Sequence, residues 1–176
     1  MNAGRRPKPI RTLPELLAHA RAMEGEAVER YTELADQMEV HNNREAAALF
    51  KRMAEIETIH VENVGALCAG MELPDIPAWE YSWDGPEAPE AVDPSEVHYL
   101  LSAREAVVLA LTHERRGADF YAALAESAKR KDVREMAEKL AAEEREHVGW
   151  LEKWLERYPE SEAGYDDDLD PPLGQG

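Results

Sequence analysis

Four long stretches of the chain place apolar residues at i, i+3, i+4 and i+7, the spacing of one helix face. The first opens near Thr12, which stands in capping-box spacing with Glu15 while Pro14 is tolerated in the first turn, and it runs to about Val40. His41-Asn42-Asn43 reads as a turn, with an asparagine as the next N-cap, and a second helix follows from about Arg44 to Ala69, with Gly70 just beyond it. Ser102 and Glu105 form another capping box before a third helix that ends near Arg130. Asp132 with Glu135 repeats that spacing and opens a fourth, which stops before Pro159. Between the second and third helices, residues 71–101 lose the periodicity and carry Pro74, Pro77, Pro86, Pro89 and Pro94. Asp93-Pro94-Ser95-Glu96 reads as the start of one short helix there.

The connection lengths predict topology. Tight turns make helices 1–2 and 3–4 antiparallel hairpins. A helix of this length is about 40 Å long, and the linker is long enough to travel that distance, so helices 2 and 3 can run parallel. The expected fold is therefore all-α: a ferritin-like four-helix bundle of two antiparallel hairpins joined by a long crossover. The domain plan is a flexible N-terminus (1–11), a bundle (12–158, helices about 13–40, 44–69, 102–130 and 133–158, crossover 71–101) and an acidic disordered tail (159–176).

The two halves repeat. Glu24-x6-Tyr31-x2-Leu34-Ala35 matches Glu114-x6-Tyr121-x2-Leu124-Ala125, and Glu57-x-x-His60 matches Glu144-x-x-His147. The apolar seams also carry charge at matched places. Helix 2 reads Phe50, Met53, Glu57, His60, Val64, Leu67, and helix 4 reads Ala137, Leu140, Glu144, His147, Leu151, Trp154. Helix 1 sets Glu24, and helix 3 sets Glu114, in the middle of an otherwise apolar face.

Burying a carboxylate costs several kcal/mol unless it is compensated. Four glutamates balance two divalent metals, and an i, i+3 pair lets Glu and His of one helix reach one metal. Glu24, Glu57, His60, Glu114, Glu144 and His147 are therefore the predicted metal ligands, acting catalytically through the metals. Carboxylate with imidazole suits iron, manganese or zinc, and this arrangement of Glu and Glu-x-x-His is that of di-iron and di-manganese carboxylate bundles. Two iron ions are expected, with manganese or a mixed pair fitting the same ligands. Tyr31 and Tyr121 read either as core aromatics or as hydrogen-bond donors to ligand carboxylates. Ala27 and Gly117 read as close helix packing, with room for oxygen or peroxide as the alternative. Glu26, Glu29, Glu143, His19, His41, His98 and His113 read as surface or local structure, and Trp79, Tyr81 and Trp83 as pins for the crossover or as an oligomer contact.

Composition narrows the partners. Thirty-seven acids against twenty bases give a formal charge of −17, which argues against nucleic acid and anionic membranes. No apolar run approaches a membrane span, and the basic N-terminus lacks the apolar stretch of a secretory signal. The single cysteine, Cys68, allows neither a disulfide framework nor a cysteine-built metal site, and suits the cytoplasm.

Through Glu24-x6-Tyr31, Glu57-x-x-His60, Glu114-x6-Tyr121 and Glu144-x-x-His147, the chain resembles the ferritin-like superfamily and its rubrerythrin-type branch over about residues 13–158. The resemblance implies a di-iron oxidoreductase that reduces hydrogen peroxide or dioxygen, and a homodimer or higher homo-oligomer. There are two departures. The four-cysteine rubredoxin iron of full-length rubrerythrins cannot be built here, so an external electron donor is implied. Rubrerythrins also carry a further carboxylate on helix 3 where Gly117 stands, and the remaining ligand set is closer to bacterioferritin-type centres. The alternative reading is accordingly an iron-binding or ferroxidase protein for storage or delivery, and a purely structural bundle is the third.

Overall fold

The computed structural model describes residues 9–83, 88–90, 97–98 and 100–159. Four helices dominate them: α1 (Leu13–Val40), α2 (Arg44–Leu67), α3 (Ala103–Ser127) and α4 (Lys131–Leu155), with one 3₁₀ turn at Ala78–Glu80. No strand occurs among the described residues. The expected short helix at Asp93–Glu96, the N-terminal segment up to residue 8 and the tail from residue 160 lie outside them.

The helix starts follow from local chemistry. The Thr12 hydroxyl accepts the Glu15 N–H while the Glu15 carboxylate accepts the Thr12 N–H, and Ser102 with Glu105 repeats that exchange on α3. Asn43 caps α2 by accepting the Ala46 N–H. The turn before it uses Asn42 in the left-handed region, at φ 59°, which asparagine tolerates better than most residues. Gly70, at φ 77°, turns the chain out of α2. The start of α4 departs from expectation. The helix begins at Lys131, ahead of Asp132, whose carboxylate is gripped by both Nε and Nη2 of Arg130 and accepts the Val133 N–H.

α1 packs on α2 and α3 on α4 as hairpins, and the two hairpins meet through α2 on α3 and α1 on α4. The Asn43 side-chain amide donates to the Leu101 carbonyl at 2.6 Å, which brings the beginnings of α2 and α3 to one end of the bundle. The two helices therefore run parallel, and the crossover spans the bundle lengthwise. At that same end an Arg104 guanidinium N–H donates to the Tyr158 carbonyl.

The apolar core is split. One cluster gathers Tyr31, Leu34, Met38, Phe50, Met53 and Leu151, and the other gathers Leu16, Met23, Val64, Tyr121, Val133 and Leu140. Each fully buried side chain of this kind contributes about 1.5–3 kcal/mol. Between the two clusters, in sequence along every helix, lie the six charged seam residues.

The crossover is tied to α1. The His19 ring is buried, its Nδ1–H donates to the Glu15 carbonyl at 2.7 Å, and its Nε2 accepts the Ser82 N–H at 3.1 Å. Tyr81 and Trp83 stack on each other, and each meets that ring at nearly a right angle. Trp79, expected among the pins, is 75 % exposed and does not serve as one. Glu26 is a local anchor, accepting the Ala88 N–H.

Candidate metal centre

Glu24, Glu57, Glu114, Glu144 and His147 are all at most 2 % exposed, and the His60 side chain is 14 % exposed. Their donor atoms form overlapping clusters, each within 4.8 Å: Glu114, Glu144 and His147; Glu57, His60 and His147; and Glu24, His60 and Glu144. The i, i+3 spacing is what lets His147 Nδ1 lie 3.3 Å from Glu144 of its own helix while also meeting Glu114 at 2.9 Å. The first hairpin repeats the orientation more loosely, with His60 Nδ1 3.7 Å from Glu24. Both rings thus turn Nδ1 towards carboxylates and Nε2 towards each other.

A seventh group joins them that sequence reasoning missed. Glu90, from the crossover, is 1 % exposed and clusters with Glu24 and Glu57. It lies against Gly117: a Cβ built there would stand 1.8 Å from Glu90 Oε1. Gly117 therefore serves neither close helix packing nor an open space for oxygen, because a carboxylate fills the room. No periodicity marks Glu90, which follows Pro89 in an irregular segment. The one usable signal was Gly117 itself, a missing side chain on an otherwise buried seam.

The tyrosines are unequal. The Tyr31 hydroxyl donates to Glu114 Oε1 at 3.2 Å, whereas the Tyr121 hydroxyl has no hydrogen-bond partner among the described residues. His113, expected at the surface or in local structure, is fully buried. His41 and His98 are exposed, as is Glu29.

The electrostatics record the crowding of acids. Burial first, then repulsion from Glu144 and Glu57, holds the Glu24 carboxyl well above its ordinary range. Glu57 and Glu90 are raised well above it by the same two causes, with other site glutamates as the repelling neighbours. Glu144 is raised to about 7, burial outweighing the attraction of the His147 ring 3.3 Å away. Burial opposes charge on His147, but Glu114 and Glu144 overcome it and raise the ring to about 10. His60 is lowered to about 4 by burial and by the neighbouring charge of His147. Burial and mutual repulsion thus favour the protonated forms of Glu24, Glu57, Glu90 and Glu144.

The sequence profile of the rubrerythrin family matches residues 15–85 and 105–169. The chain belongs to the rubrerythrin family. Among solved structures, the chain is similar to an uncharacterized conserved protein from Magnetospirillum magnetotacticum MS-1. The two are 38 % identical, with a TM-score of 0.66, over 87 % of this chain and 99 % of that one. A comparison with functionally curated proteins returns no match.

Rubrerythrins bind paired iron ions, and the Glu and His groups here could hold metal. The fit is testable on this chain's own atoms. Both oxygens of Glu24, Glu57, Glu90 and Glu144 are buried without a hydrogen-bond partner among the described residues. Buried polar atoms are almost always satisfied, and a cluster of unsatisfied acceptors beside imidazole nitrogens has the donor chemistry of a cation site. No helix among the described residues is long and apolar enough to cross a membrane.

Proposed function

We propose that this protein is a di-iron oxidoreductase that reduces hydrogen peroxide or dioxygen. The observation that carries the reading is the layer of four glutamates and two histidines, buried between two apolar clusters and facing one another, with both oxygens of Glu24, Glu57 and Glu144 unsatisfied among the described residues. Glu24, Glu57, Glu114, Glu144, His60 and His147 would hold the metals. Bound there, a pair of iron ions supplies electrons and Lewis acidity for cleaving an O–O bond.

The chain's own groups set the conditions for that chemistry. The apolar clusters exclude water on both sides, which strengthens every electrostatic interaction in the layer. Tyr31 fixes one Glu114 oxygen by its hydrogen bond, leaving Oε2 to face His147. His60 reaches the surface in a cleft also lined by Ile56, Ile59, Trp150 and Trp154, an access route for a small oxidant. The partly exposed Trp150 ring lies 5.2 Å from His147, centre to centre, and gives electrons from an external donor a route inward. A homodimer or larger homo-oligomer belongs to the same reading.

Anaerobic loading with Fe(II), followed by stopped-flow mixing with peroxide or oxygen, tests the activity. Oxidation of the bound iron much faster than that of free iron is expected. Rates no faster than free iron contradict the enzymatic reading. Oxidation by dioxygen alone, with release of Fe(III) or its storage in a larger assembly on size-exclusion chromatography, would place the protein in iron handling instead.

A further inference from the structure

We propose that Glu90 is itself a metal ligand, delivered to the centre by the crossover, and that Gly117 is the opening through which it enters. The inference rests on the two-metal reading above and extends it from six protein ligands to seven.

Three observations converge. Glu90 is buried, and neither of its oxygens has a hydrogen-bond partner among the described residues. An acid carried into a protein interior on an irregular loop, with nothing to accept from, is costly unless a cation completes it. Its neighbours are also ligand groups. In the second hairpin the clustered set is Glu114, Glu144 and His147; in the first, Glu24 and Glu57 cluster with Glu90. The glutamate pair of the second hairpin thus clusters with its own histidine, whereas the glutamate pair of the first clusters as a pair with Glu90, and His60 meets each of the two in a set shared with the second hairpin. Finally, Gly117 and Glu90 exclude each other sterically. The Cβ that any other residue would place at 117 stands 1.8 Å from Glu90 Oε1 and 2.7 Å from its Cδ, so α3 has room for this carboxylate only because 117 has no side chain. Conversely, a glutamate rooted at 117 would reach the space that the Glu90 carboxylate now occupies.

Glu90 lies in the gap between the two segments that match the family profile, 15–85 and 105–169. The crossover around it is anchored on α1 through Ala88 to Glu26 and Ser82 to His19. Coordination by Glu90 would add a third tie, so metal loading would tighten the crossover as well as fill the core.

Cobalt(II) titration of the full chain, read by the cobalt visible spectrum and by metal per chain, tests this alongside hydrogen exchange of peptides containing Ala88–Glu90. The wild type should bind two ions and gain protection at 88–90 on loading. Glu90→Gln keeps the shape and should bind one of the two ions at least about tenfold more weakly, with the protection gain lost. Gly117→Ala should reproduce that defect by displacing Glu90. Glu90→Ala combined with Gly117→Glu should restore the second ion without restoring crossover protection. Circular dichroism of each metal-free variant verifies that it folds. Two ions bound equally by wild type and Glu90→Gln, with the same protection at 88–90, would overturn the assignment while leaving the six-ligand centre standing. Failure of the wild type to bind metal would overturn the centre itself, and this inference with it.

Discussion

His60 and His147, from different hairpins, bring their Nε2 atoms to 2.9 Å. At that distance one nitrogen donates and the other accepts, so a proton lies between the halves of the bundle. His147 Nδ1 also faces Glu114 and Glu144, and the ring is raised to about 10. A metal at Nδ1 must displace a proton there. Metal uptake should therefore acidify a weakly buffered solution, followed with an indicator dye. Affinity should be at least about tenfold higher at pH 8 than at pH 6. Binding that is independent of pH would contradict the assignment of His147.

Stability of the metal-free protein should fall as pH rises above about 6.5, and the sign follows from the shifts. Glu24, Glu57, Glu90 and Glu144 have folded-state values above their ordinary 4.5, Glu144 at about 7. The stability they contribute is full below the unfolded value and is lost as pH rises through the folded one. His147, raised from 6.5 to about 10, behaves in the same direction over that window. His60, lowered from 6.5 to about 4, opposes them, but only between those values. Above 6.5 every remaining contribution has the same sign. Thermal melts from pH 6.5 to about 8 should show a falling Tm without metal, and zinc or iron should flatten the slope.

Replacing Glu57 by glutamine should move two readouts in opposite directions. The uncharged amide relieves a buried acid, so the metal-free protein should gain about 1–3 kcal/mol in urea unfolding. Metal binding should weaken sharply because a ligand oxygen is lost. A loss on both readouts would mean that Glu57 serves the fold rather than the centre.

Tyr31 and Tyr121 offer a matched pair. Tyr31→Phe removes a buried hydrogen bond to Glu114 and should cost about 1 kcal/mol, whereas Tyr121→Phe removes a hydroxyl with no such partner and should cost less. Equal losses in urea unfolding of the metal-free variants would contradict the asymmetry.

His19→Ala should loosen the crossover without touching the site acids. It removes the acceptor of the Ser82 N–H and the ring against Tyr81 and Trp83, at about 1–3 kcal/mol. Exchange at residues 78–83 should accelerate, while α2 and α4 remain protected.

The bundle was legible because its signals are local and periodic. Thr12 with Glu15 and Ser102 with Glu105 mark helix starts by chemistry that needs no tertiary context. Glu57, His60, Glu144 and His147 stood out because charge on an apolar seam demands compensation. The start of α4 was less clear, since Asp132 competes between capping the helix and pairing with Arg130. Glu90 and His19 escaped for another reason. Their burial is produced by the crossover folding onto the bundle, a long-range event without periodicity, so neither residue announces its partners in the sequence.

Anaerobic Fe(II) titration with metal counted by native mass spectrometry tests most directly whether two metals are held between the hairpins. The wild type should bind two ions per chain, and His60→Ala and His147→Ala should each bind fewer while remaining helical. A wild-type protein that binds no iron, or histidine variants that still bind two ions as tightly, would contradict the two-metal centre.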